Sequence, residues 1–504
     1  MIQEIAQEIA FTNAKIVNST QPLAAVAFTV ENGCFKQVFD NESTFKNYVK
    51  RNSCEVIDLG GKAVVPGQVD AHTLATFICK FSGAASAHGV SDMLTLATRL
   101  KKVALGKTDE HGFLFATGWQ SENLELSLAT LDELSIKKPL AIFNSSFHGA
   151  QLNREGLAAL KDAGLKNVPA NGLLMGPVYD AFVNHARPNP VEFAKHFLAY
   201  EQKLAAAGVT TAHDLVIQKI DEVQVLKTMA MKGLLKLRWR CYVTRPELLE
   251  GSLDTYGNLK FMGLKLFIDG SYGMKNAHQD YAHAYADGST SESKLSVKDI
   301  VEAAKKLTDI AGAHAHLAAH CIGYAACETF LKAAAELRES VYTKELTLRA
   351  LHFETADDKL INRAKELGVV VSMQPAFSED VKDYAKDIPK PEHVNPMRRV
   401  ALILKDKFVI GSDSMPLGYM ENAALALNPP LETQKVTDDF VKLLPAMTRS
   451  GAYVTNERQN FGAIKAGQSA DFVVLDKLPR SGKDCETAQV LETWALGQQV
   501  FKKD

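Results

Sequence analysis

The chain contains no CxxC pair, no basic run interleaved with aromatics, and no unbroken stretch of about 18 apolar residues. Each absence removes a class of protein. The seven cysteines (Cys34, Cys54, Cys79, Cys241, Cys321, Cys327 and Cys485) are odd in number and scattered. That argues against a zinc knuckle and against the disulfide framework of a small secreted domain. A formal net charge of -2 gives no reason to expect nucleic acid or an anionic membrane as a partner, and without a long apolar stretch no membrane span is expected. The segment MIQEIAQEIAFTNAKIVNS has no basic region followed by an apolar core and a small-residue cleavage site. A reducing cytoplasm is the expected compartment. No internal repeat or low-complexity segment is visible.

What is present is ordinary globular composition, 46 % apolar and 23 % charged, in 504 residues. One hydrophobic core does not grow to that size, so two or three domains are expected. The first sixty residues read as short strands (AKIV, AAVAFTV, QVF) broken by Glu31-Asn32-Gly33, and the last fifty (GQSADFVVLD, ALGQQVFKK) look similar. Both ends are read as one small β-sandwich-like domain, residues 1–62 plus 455–504. Between them, apolar β-runs alternate with helix-like segments such as VEFAKHFLAYEQKLAAAG and KDIVEAAKKLTDIAGA, the pattern of parallel strands joined by crossover helices. Eight such runs fall near 61–70, 208–214, 235–243, 263–269, 314–320, 346–353, 368–374 and 407–413. Eight is the number that closes a (β/α)8 TIM barrel, here over 63–454. The gap at 75–205 is too long for a bare loop and carries its own mixed pattern, so an inserted α/β subdomain over the barrel mouth is expected.

In such a barrel the chemistry sits at the C-terminal ends of the strands. His72, Lys265, His320, His352 and Asp413 all fall at or near those ends. Imidazole and carboxylate suit zinc, with coordination positions left open for a water.

The words around these residues resemble the YtcJ-like branch of the amidohydrolase superfamily. PGQVDAHTL, GVTTAHD, GLKLFIDGSYG, HCIGYAA, RALHFE and GSDSMP follow that branch's motif order over about residues 60–475. His148-Gly149 stands where the branch has a Gly-His pair. The resemblance implies a binuclear site: one metal on the HxH pair and the eighth-strand Asp, the other on the fifth- and sixth-strand histidines. Carried over, these are His72 and Asp413, then His320 and His352, with Lys265 between them as a carbamylated bridge and Asp413 as general base. Carbamylation needs a neutral amine, which burial favours.

Three departures stand out. Leu74 replaces the second His of HxH, Tyr324 the Asp after strand 5, and Leu351 the Glu before the sixth-strand His. Losing a ligand weakens the first metal position, so one divalent ion, zinc before others, is expected rather than two. The expected reaction is hydrolysis of a C–N bond (amide, formamide or cyclic amide) in a small molecule by metal-activated water. His72, Lys265 and Asp413 are the catalytic candidates, and His148, Trp119, Tyr272 and Tyr324 the substrate contacts. Two alternatives stay open: lyase, decarboxylase or isomerase chemistry on the same fold, and a metal-free pseudoenzyme that binds a ligand. A homodimer follows only from the base rate of oligomers.

Each residue also has a plainer reading. His320 and His352 could be satisfied core residues, Lys265 could pair with Asp269, and Asp413 could cap the next segment. His148, Trp119 and Tyr272 could simply pack the insert on the barrel. His314 and His316 mimic an HxH pair but sit at the start of the fifth run and not after the first, so they read as structural. His278 and His283 lie where a rescue ligand could come from, and His213 and Asp214 could be either supporting or core residues.

Overall fold

The computed structural model describes residues 8–19, 25–104, 112–121, 123–185, 190–379, 387–388, 394–415 and 417–504. Pro416 of GSDSMP and His111 of HGFLFATGW lie outside these residues. Eight parallel strands form the barrel: β1 Gln68–Thr73, β2 Val209–Ile217, β3 Arg238–Val243, β4 Leu259–Phe267, β5 His316–Cys321, β6 Thr347–His352, β7 Val370–Met373 and β8 Phe408–Ile410. Neighbours pair in chain order from β1 to β8. β1, β2, β3 and β8 are buried along their whole length, because helices cover the outside of the sheet. Those helices include Pro190–Ala206 before β2, Val297–Ala311 before β5 and Tyr324–Glu339 before β6.

Closure between β8 and β1 is made by side chains as well as backbone. The Asp70 carboxylate accepts from Ser412 N at 2.9 Å and Ser412 Oγ at 2.6 Å, and Asp413 N donates to His72 O at 2.7 Å. Gly411 permits this approach, since a Cβ there would lie 2.4 Å from His72 Cβ. The seam that shuts the barrel therefore also sets His72 beside Asp413.

The run expected as the first barrel strand is two strands. Ala63–Pro66 joins a five-stranded sheet with Lys15–Ile16, Phe472–Leu475, Val490–Ala495 and Gln498–Lys502, and the barrel begins only after Gly67. A four-stranded sheet from residues 8–58 packs on it. The aromatic rings of Phe11, Phe28, Phe472 and Trp494 fill the space between, with centroids about 5 Å apart. The insert has its own five-stranded sheet, in the order Leu173–Met175, Gly149–Leu152, Leu140–Asn144, Leu114–Trp119 and Ala85–Ser86. No helix among the described residues is long and apolar enough to cross a membrane.

Gly263, in the middle of β4, tests the barrel packing. A Cβ there would sit 1.9 Å from the His316 carbonyl oxygen, which is backbone and cannot swing away. Gly263→Ala is expected to cost about 3 kcal/mol or more. The control Gly273→Ala meets nothing within 4 Å and is expected to stay within about 0.5 kcal/mol. Thermal unfolding of the two variants checks the difference.

Candidate metal centre

The C-terminal ends of the barrel strands bring His72, Lys265, His320, His352 and Asp413 together, all buried. Of these, His72, His352 and Asp413 offer ligand atoms that lie within 4.8 Å of one another. His72 Nε2 is 3.3 Å from Asp413 Oδ1. The His72 and His352 ring centroids are 5.0 Å apart, and those of His320 and His352 4.4 Å. The grouping differs from the two pairs that the resemblance implied. His72 and Asp413 converge with His352, while His320 stands beside them with Nε2 donating to Gly270 O at 2.8 Å.

Backbone strain marks the same places. His352 (φ 68), Phe353 (φ 51), Asp413 (φ 51) and Ser414 (φ 66) hold left-handed conformations at the ends of β6 and β8. Phe147 (φ 55) does so in the insert loop facing them. Each costs on the order of 1–3 kcal/mol and persists only where the surroundings over-determine it.

The electrostatics suit a cation. Burial pushes the imidazoles of His72, His148, His320 and His352 well below the ordinary histidine range, so they stand neutral with lone pairs available. Burial likewise pushes the Lys265 ammonium down to about 7, against the pull of the Asp413 carboxylate. Asp269 does not serve Lys265 as the plainer reading supposed. Its carboxylate takes the backbone N–H groups of His278, Ile322 and Gly323, and burial raises it to about 7.

A residue not singled out from the sequence completes the centre. Gln374, just past β7, donates its amide N–H to His72 Nδ1 at 3.0 Å, and its Oε1 has no hydrogen-bond partner among the described residues. In this arrangement His72 Nε2 carries the proton and faces Asp413. Turning the amide over lets Oε1 accept from Nδ1–H and frees Nε2 as a ligand, the usual way a partner fixes a metal-binding histidine. Gln374→Ala is expected to weaken zinc affinity about 10–100-fold, measured by competition with a chelating dye. Unchanged affinity would remove Gln374 from the centre. The only sequence signal for it was its place at the end of the seventh run.

The larger cavity at the barrel mouth, about 470 Å³, is lined from the insert by Asn144, Ser146 and His148 and from the barrel by Tyr272, Glu354 and Phe377, with His320, His352 and Asp413 at its floor. His148 is thus where a substrate contact was expected, its ring 4.7 Å from that of His320. Tyr272 lines the cavity too, its hydroxyl bonded to Thr355 Oγ1 and Gln279 Nε2. Two expected substrate contacts lie elsewhere. Trp119 is buried in the insert's own core with Nε1 donating to Leu124 O at 2.7 Å. Tyr324 stacks on His283 at 3.7 Å and reaches Asp357 with its hydroxyl. Neither lines the cavity: Trp119 packs within the insert, and Tyr324 packs on the segments after β4 and β6.

The competing histidines are accounted for as well. His283 is held by Tyr324 and Asp280, and His278 by Ser291 O. His316 bonds the Tyr242 hydroxyl at 2.9 Å and His314 is exposed. His213 and Arg349 interact below the centre, and the Asp214 carboxylate takes Thr76 N at 2.8 Å.

A model of the amidohydrolase family matches residues 55–501. The YtcJ protein of Bacillus subtilis (strain 168) is 23% identical over 529 residues, covering 95% of this chain and 96% of that one. The Arabidopsis thaliana protein LONG AFTER FAR-RED 3 is also 23% identical, over 543 residues, covering 99% and 92%. Among solved structures, an uncharacterized metal-dependent hydrolase from Pyrococcus furiosus superposes with a TM-score of 0.75 at 23% sequence identity, covering 94% of this chain and 99% of that one. At that identity the likeness speaks for the fold.

Proposed function

The chain belongs to the amidohydrolase family, in its YtcJ-like branch, and from that premise we propose that it hydrolyses a C–N bond, amide or cyclic amide, in a small molecule. One observation carries the reading: two neutral imidazoles and a carboxylate gather at the catalytic pole of the barrel within 4.8 Å. Two nitrogens and an oxygen suit a divalent cation, zinc first. His72, His352 and Asp413 would hold it, with His320 and Lys265 alongside, and Lys265 is the candidate for carbamylation. Such an ion, when bound, would supply Lewis acidity to the carbonyl and lower the pKa of a water to about 7.

The rest is the work of the chain's own residues. The larger cavity takes the substrate, with His148 and Tyr272 against it. Asp413 accepts the water's proton and passes it to the leaving nitrogen, so that the C–N bond breaks to a carboxylate and an amine. Gln374, with its amide turned so that Oε1 accepts from Nδ1–H, would hold His72 in the tautomer that frees Nε2. The insert shields the site from bulk water, which strengthens each of these contacts.

The test is a panel of amides, formamides and cyclic amides given to the zinc-loaded protein in 18O-labelled water. One label in the product carboxylate, lost on chelation and restored by zinc, is the expected result. Products formed without label would replace hydrolysis by a lyase or isomerase reaction.

A further inference from the structure

Two cavities meet at the imidazoles. The smaller, about 60 Å³, lies against Leu74, Phe77, Val183, Val216 and Phe267, with Tyr179 and Lys265. It shares His148, His320, His352 and Asp413 with the larger one, so a substrate gripped at the centre extends into both.

We propose that the smaller chamber binds the acyl side of the scissile amide and limits it to a short aliphatic chain. This rests on the hydrolase reading above and adds a substrate class to it. The volume holds roughly four water-sized groups, which is an acetyl to butyryl chain and no more. Beyond the imidazoles its wall is an apolar patch, with Phe77, Val183 and Val216 each at most 5 % exposed, edged by Asp180 and Gln218. Leu74, which stands where a second ligating histidine belongs in the family's motif, lines both chambers and, with Phe147, gives the passage between them one apolar side opposite the imidazoles.

The orientation follows from the room on each side of the centre. Hydrolysis adds the water's oxygen to the carbonyl carbon, breaks the C–N bond and sends a proton to the nitrogen, giving a carboxylate and an amine that takes up a proton. The carboxylate end then lies on the Lys265 and Tyr179 side of the centre. The amine leaves into the larger cavity, about 470 Å³ against about 60 Å³, which has room for more than a short chain. Tyr179 lines the smaller chamber, and its buried hydroxyl has no hydrogen-bond partner among the described residues. An oxygen of the acyl product relieves that deficit.

The experiment uses the 4-nitroanilides of formic, acetic, propionic, butyric, hexanoic and octanoic acids with the zinc-loaded protein and its Val216→Phe and Val216→Ala variants. kcat/KM is expected to rise to butyryl and fall at least tenfold at hexanoyl, the scale set by one or two methylenes that do not fit. Val216→Phe lowers butyryl against formyl by about tenfold or more, and Val216→Ala moves the limit to a longer chain. Should the larger ring prevent folding, the Val216→Ala shift alone decides. Acetate, butyrate and octanoate are titrated calorimetrically into the same proteins, which reads the chamber whether or not any amide is cleaved. Butyrate binding most tightly, and more weakly in Val216→Phe, supports the chamber. A flat chain-length profile in both series, or a limit that Val216 does not move, overturns it. Cleavage with a flat profile leaves hydrolysis standing without the chamber. Binding selectivity without cleavage leaves the chamber standing without the reaction.

Discussion

Asp413→Asn lowers kcat/KM by a factor on the order of 10²–10⁴, the range expected when a positioned acid–base group loses its proton affinity. The substitution keeps the shape of the side chain and removes its charge, and with it both the proton acceptor and the anionic ligand, so bound zinc is measured alongside the rate. It also suits the backbone, because Asp413 has φ 51 and asparagine tolerates the left-handed region better than most residues. The seam bond from its N–H to His72 O does not involve the side chain. Folding should therefore survive, and a thermal transition close to that of the parent protein accompanies the lost activity. Near-parental kcat/KM would move the proton chemistry to another group.

His352→Ala reduces bound zinc from near one equivalent to below about a tenth, because the remaining two ligands do not hold an ion against buffer and competing chelators. His320→Ala retains most of the metal. The contrast comes from the geometry: the three ligand atoms that converge belong to His72, His352 and Asp413, and His320 spends Nε2 on Gly270 O. Elemental analysis of the two variants purified without chelator separates the cases. Equal loss in both would restore the pairing of His320 with His352 that the family resemblance implies.

The barrel was legible because parallel strands buried on both faces must be nearly continuous apolar runs, and the helices between them keep their own period. All eight runs overlap strands. The errors lie where one run serves two purposes. GKAVVPGQVD crosses from the terminal sheet into the barrel at Gly67, and nothing in its hydrophobicity marks the change. β4 begins at Leu259, earlier than read, since Gly263 looks like a turn and is instead a close backbone approach. At the site, the residue types and their strand-end positions were readable, but ring orientation was not. Which side chains converge depends on the seam made by Asp70, Ser412 and Asp413 and on a carbonyl from the loop after β4. Trp119 misled because an aromatic in an insert looks the same in sequence whether it faces a cavity or the insert's own core.

The proposed chemistry stands on one ion held among His72, His352 and Asp413. Anomalous diffraction at the zinc edge from crystals of the zinc-loaded protein tests it directly. A peak is expected roughly 2.0–2.2 Å from a nitrogen of each histidine and an oxygen of Asp413. A peak held by His320 and His352 and out of reach of Asp413 would contradict it.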